Sequence, residues 1–323
     1  MNTKLLHLSS ITKKILVALL GTFLLVFVTF HMCANLCILA HDGGSAYTAF
    51  CHFMGSNIFV KVLELGLFLI LLLHIGINLI IWFENKKARP VGYHVKTKTR
   101  TLASSKLMVL TGLLIILCLL LHFMDFYFVK KGLTKGTYMV KTEDIRSETV
   151  NYLLQNSVQY DAMPEDIVAQ QEEMIAPYRD QFSAEEQQQL DQELEELRNA
   201  IPVVHMLSDV YENNRISEDG KYIKQVTEDE KKMLKKAIDG INVEPDFYYM
   251  ARDLFKNPVM CVLYWAFFVV VWFHLRQAFQ AAFQTLGLNN YKYSRAIEIV
   301  GIIFAWVICL GFAVIPLGVL LNI

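Results

Sequence analysis

Residues 15–40 read ILVALLGTFLLVFVTFHMCANLCILA. No Asp, Glu, Lys or Arg interrupts the run. A helix rises about 1.5 Å per residue, so the stretch is long enough to cross roughly 30 Å of hydrocarbon. Near its far end stands a single imidazole, His31. Four further runs have the same length and character: 57–83, 106–129, 258–283 and 296–321. The chain of 323 residues is 54% hydrophobic, which a water-soluble domain rarely reaches. The fold class that follows is an all-α membrane protein, a bundle of five transmembrane helices. The first run is too long for the 7–15-residue apolar core of a signal peptide, so it reads as a span.

Charge divides the chain into three parts: helices 1–3 over 1–129, a polar insert over 130–256, and helices 4–5 over 257–323. The insert holds 26 acidic and 16 basic residues, a net −10; the rest holds 5 and 14, a net +9. Most of that positive charge falls on one side. Lys13 and Lys14 precede helix 1. Lys86, Lys87, Arg89, Lys96, Lys98, Arg100 and Lys106 join helices 2 and 3, and Lys292 and Arg295 lie between helices 4 and 5. The positive-inside rule then expects a cytoplasmic N-terminus, with the insert and C-terminus outside.

The insert reads as mainly helical. Ser183-Ala-Glu-Glu186 and Thr227-Glu-Asp-Glu230 are capping boxes, the first followed by an apolar stripe of Leu190, Leu194 and Leu197. Residues 211–225 are expected to form a hairpin around Asp219-Gly220, Gly240 to stop a helix, and Pro245 to open a short one over 247–255. Pro258 suits the first turn of helix 4. The insert has no Gly-rich phosphate loop, GxSxG or HExxH, and its acidic surface reads as a solvated face. It has no cysteine. Cys33, Cys37, Cys118, Cys261 and Cys309 lie in spans and Cys51 in the first outer loop, none in a C-x-x-C pair, so they read as packing residues.

An imidazole in hydrocarbon needs a strong partner, and there are four: His31, His74, His122 and His274, one on each of the first four spans. Helices 1 and 3 run outward, and His31 and His122 each stand roughly 24 Å from the inner end. Helices 2 and 4 run inward, and His74 and His274 each stand roughly 14 Å above it. Equal depth pairs His31 with His122 in an outer layer and His74 with His274 in an inner one. Two facing imidazoles fill both axial positions of a b-type haem, a carrier of electrons that does not bind oxygen. No CxxCH is present, so covalent attachment is not indicated.

Other polar residues fit that scheme. Asn35, Asn78, Asp125 and Gln277 each follow a histidine by one turn. Arg276 is a candidate partner for the propionates of the inner haem and Lys61 for those of the outer. Glu64 and Asp125 are intramembrane acids and candidates for proton exchange with a quinone. His7, His94, His41, His52 and His205 read as surface or edge residues.

In the order of its histidines, its topology and its helix lengths the chain resembles the dihaem cytochrome b membrane anchor of succinate dehydrogenases and fumarate reductases. The resemblance covers roughly 1–129 and 257–323. It implies the same haem pairing, first helix with third and second with fourth. It further implies a flavoprotein with covalent FAD and an iron–sulfur subunit on the basic cytoplasmic face, menaquinone as the membrane substrate, a bacterial inner-membrane location, and a dimer of such heterotrimers. Two departures stand out. Where some members carry a glutamate two residues before the fourth histidine, this chain has Trp272. Where some place a carboxylate before helix 2, residues 52–57 have none, leaving His52 or Glu64 as substitutes. The insert is outside the resemblance. Two other readings are the cytochrome b of a membrane hydrogenase or formate dehydrogenase, which usually sets two histidines on one helix, and a haem-free membrane protein with a partner-binding outer domain.

Overall fold

The computed structural model describes residues 9–88, 103–217, 220–288, 290 and 292–322, with side chains of the third span from residue 108 onward. His7, Arg89, His94, Lys96, Lys98, Arg100 and Asp219, and the side chain of Lys106, lie outside the described residues. In chain order the elements are α1 (Ser10–Leu36), α2 (Ser45–Ser56), α3 (Ile58–Ala88), α4 (Ala103–His122), α5 (Phe128–Lys130), β1 (Tyr138–Lys141), α6 (Thr142–Ile145), α7 (Glu148–Tyr160), α8 (Pro164–Ile175), α9 (Ala184–Glu212), β2 (Tyr222–Val226), α10 (Glu228–Ala237), β3 (Val243–Pro245), α11 (Phe247–Lys256), α12 (Pro258–Thr285) and α13 (Ser294–Leu321). A π-helical turn, Phe123–Tyr127, joins α4 to α5.

Five helices are long and apolar enough to cross a membrane: Ser10–Leu39, Ile58–Ala88, Met108–Lys130, Pro258–Thr285 and Ser294–Leu321. The protein is an all-α, multi-pass membrane protein with little strand. The ends of the spans have identifiable causes. Ser9 Oγ accepts from Thr12 N at 3.1 Å to start α1, so Lys13 and Lys14 lie within the helix rather than ahead of it. Asn257 Oδ1 accepts from Val259 N at 2.9 Å and Pro258 occupies the first turn of α12, where its missing N–H costs nothing.

The chain divides into two compact units, 1–123 with 252–323, and 124–251. In the first, α12 packs on α13, α4 and α1, and α1 also packs on α3 and α13. α1, α12 and α13 share a core of Met32, Leu275, Ala305, Ile308 and Cys309. Gly311 lets α13 approach α1, for a Cβ there would meet the thioether of Met32. The second span packs mainly on α1 and on the short α2, and none of its 31 residues is buried. Lys13, buried at the start of α1, is ion-paired to Glu84 near the end of α3. The sequence gives no sign of α2, a helix set in what reads as a plain loop.

The second unit is helical around a three-stranded antiparallel sheet of order β2-β1-β3. Both capping boxes form: Thr227 N donates to Glu230 Oε2 at 2.7 Å and Ser183 N to Glu186 Oε2 at 2.8 Å. Leu194 and Leu197 are buried in the core with Val140, Leu153, Val210 and Leu234, and Leu190 packs against it. The sheet itself departs from the sequence expectation. Tyr211 and Glu212 end α9, the hairpin is short with Ile216 bridging Ile223, and β2 takes β1 as its main partner. Pro245 closes β3 instead of opening α11; the buried Asp246 starts that helix by accepting from Tyr249 N at 3.2 Å. α10 ends at Ala237, ahead of Gly240.

Candidate cofactor site

Two of the four histidines meet ring to ring, and the other two lie near enough to influence each other electrostatically. His31 of α1 and His122 of α4 face each other with ring centroids 6.0 Å apart and planes at 83°. Imidazoles this close would be able to hold one metal between them, each nitrogen about 2 Å from it. Aromatic rings line the pair: Phe27 stacks on His31 at 5.5 Å, Phe312 lies 5.8 Å from it, and Tyr264 lies 6.4 Å from His122. His74 of α3 and His274 of α12 lie within electrostatic reach of each other. Among the described residues no three His, Cys, Asp or Glu side chains gather as a metal cluster. Paired imidazoles are instead the donor set of a bis-histidine haem.

His74 and His274 are seated against small residues and backbone. A Cβ built on Gly21 of α1 would stand 3.3 Å from His74 Cε1, and one on Gly112 of α4 would stand 3.6 Å from His274 Cε1. The Val17 carbonyl is within reach of the His74 ring, yet His74 Nδ1 is buried and makes no hydrogen bond. His274 Nδ1 lies 3.2 Å from Thr111 Oγ1, whose own proton is donated to the Met108 carbonyl at 3.0 Å.

Of the polar residues one turn beyond each histidine, Asn35 and Asn78 hydrogen-bond to the histidine itself. Asn35 Nδ2 donates to the His31 carbonyl at 2.8 Å and lies 3.3 Å from His31 Nδ1, while Tyr47 of α2 donates to Asn35 Oδ1 at 3.0 Å. Asn78 Nδ2 donates to the His74 carbonyl at 2.7 Å, a bond to backbone and not to the ring. Asp125 lies in the π-helical turn. Glu64, His52, Asp125 and Gln277 each engage a neighbour through a polar, ring or electrostatic contact. Arg276 Nε is buried without a hydrogen bond, and the guanidinium sits 5.5 Å from the Trp272 ring. Lys61 is exposed on α3. His41 is exposed, and exposed His205 bonds Glu165 at 2.7 Å.

Thr111, Gly21, Gly112 and Tyr47 escape a reading of single residues. A signal for the glycines is present all the same: each stands ten positions before a span histidine, Gly21 before His31 and Gly112 before His122. No family model, curated protein or solved structure matches the chain.

Proposed function

We propose that this chain is the membrane-anchor cytochrome b subunit of a succinate:quinone oxidoreductase, with two b haems held by His31 with His122 and by His74 with His274. The observation that carries the reading is the ring contact of His31 with His122, two intramembrane histidines on different spans, with a second such couple, His74 and His274, in electrostatic reach of each other. The surroundings fit the group. His74 Nδ1 and Arg276 Nε are buried polar atoms without partners in the span region. Gly21 and Gly112 keep the backbone low beside the inner pair. A cation inside a membrane calls for an anion, and haem propionates are anions of the required kind.

When bound, the two haems supply one-electron transfer between the two membrane faces. The residues of this chain bind, orient and insulate. Phe27, Phe312 and Tyr264 surround the outer imidazoles and keep water from them. Arg276 offers its guanidinium to an inner propionate, and Lys61 an ammonium to an outer one. Asn35, tied to the His31 carbonyl and to Tyr47, stands beside the His31 ring and restrains its orientation. Glu64, His52 and Asp125 are the candidate groups for passing protons to and from menaquinone. The dicarboxylate chemistry belongs to the flavoprotein and iron–sulfur partners expected on the basic face, with the insert and C-terminus on the other side of a bacterial cytoplasmic membrane.

The test is a reduced-minus-oxidised spectrum and a haem assay on the purified full-length chain, with identification of the subunits that co-purify. Two b haems and a flavoprotein/iron–sulfur pair are expected. Absence of a b-type α-band would sink the reading. Hydrogenase or formate dehydrogenase subunits would replace it with another dihaem complex.

A further inference from the structure

Thr111 stands next to no expected motif, yet it is buried in α4 against the ring of His274. A threonine hydroxyl has one proton to give and two lone pairs to accept with. The Thr111 proton goes to the carbonyl of Met108, one turn earlier on the same helix. With its proton on that carbonyl, Thr111 Oγ1 stands as an acceptor 3.2 Å from His274 Nδ1. The Met108 carbonyl is itself within hydrogen-bond reach of the same imidazole. Both neighbours are acceptors, so the neutral ring must carry its proton on Nδ1. That leaves the lone pair on Nε2, the tautomer a metal-binding histidine needs.

We infer that Thr111 is a positioning residue that fixes the tautomer and orientation of His274, so that the inner haem has one ligand set in advance and strengthened as a donor. The contrast with His74 and His31 makes this specific. His74 Nδ1 has no hydrogen-bond partner, and Asn35 presents an N–H, not an acceptor, to His31 Nδ1. Gly112, the next residue after Thr111, brings the α4 backbone close enough for a short hydroxyl to reach the ring. The inference rests on the two-haem reading above.

Thr111→Val keeps the shape and removes the acceptor; Thr111→Ser keeps the acceptor. Both are made in the full chain, with the haem lost in His274→Ala marking the inner one. In Thr111→Val the inner haem's midpoint potential is expected to move upward, because a ligand whose Nδ1 proton has lost one of its two acceptors is a weaker donor to iron. Its affinity should fall roughly 10–100-fold, the usual effect of removing a histidine's outer partner. The outer haem, unchanged, reports that the bundle is folded, and Thr111→Ser restores the inner haem. Loss of the inner haem with the outer retained and serine rescue also supports the inference. An inner potential unmoved in Thr111→Val, equal changes in both haems, or a serine variant that behaves like valine would overturn it. A parent chain without any b-type band would remove the two-haem reading first, and is told apart from these outcomes by the parent spectrum alone.

Discussion

The imidazole of His31 stands edge-on to that of His122, 6.0 Å between ring centres, joining the first membrane span to the third. If the two share one haem, they must fail together. His31→Ala and His122→Ala should each abolish the same spectral component and leave the other intact, as should His74→Ala and His274→Ala for the second. Redox titration followed at the α-band, variant by variant, reads this directly. Loss of one common component in His31→Ala and His74→Ala would refute the pairing.

Arg276 is a cation inside a span, with the face of Trp272 beside it and its Nε unbonded. A positive charge near a haem favours the reduced state. Arg276→Gln should lower the midpoint potential of the inner haem, while Arg276→Lys keeps most of it. Equal potentials in the parent and the glutamine variant would place the propionates elsewhere.

Gly21 offers a test whose sign runs against ordinary helix energetics. Gly→Ala in a helix interior normally stabilises by about 0.5–1 kcal/mol. Here the new methyl would come within 3.3 Å of His74 Cε1 and press on the ring. Gly21→Val should therefore retain a folded, membrane-inserted chain with the outer haem but lose occupancy at the inner one. Haem-to-protein stoichiometry and the residual α-band measure it.

In the insert, Arg215 ties three elements. It holds Asp209 of α9 at 2.7 Å, Glu230 of α10 through two bonds at 2.9 and 3.0 Å, and the Gln225 carbonyl of β2 at 2.9 Å. Burial alone would raise the Glu230 carboxyl; the Arg215 hydrogen bond and the Thr227 contacts outweigh it and hold the group below its usual value. A carboxyl lowered by folding stabilises fully above the unfolded value of roughly 4.3, and that contribution is lost as pH falls through the folded value. Arg215→Ala should cost about 2–3 kcal/mol near neutral pH, since the carboxylates it pairs are only partly buried. The difference from the parent should shrink at acidic pH. Hydrogen exchange of β2 and α10 amides in the full chain, at both pH values, gives the comparison.

How much of this was legible beforehand depends on the range of the interaction responsible. The spans declare themselves because hydropathy over twenty residues is a local property, and the capping boxes because Ser183 with Glu186 and Thr227 with Glu230 are only three residues apart. The opposite holds for β1. Tyr138–Lys141 is four residues long and is a strand because β2 and β3, from more than eighty residues downstream, pair on both of its edges. Pro245 looked like a helix opener, yet its strand pairing with Tyr138 is decided by the same distant partner. At the histidines, equal depth sorts the pairs, but depth is blind to rotation about the helix axis. Thr111 reads as any hydroxyl in a span until α12 is packed on α4.

The ion pair of Lys13 with Glu84 joins residues 71 positions apart. While the first span is being placed, its partner has yet to be synthesised, and Lys13 is an uncompensated cation of the kind that biases orientation. Once the second span arrives, the same ammonium is neutralised and buried. The pair is thus a latch between the first and second spans, one that closes only when both segments are in place.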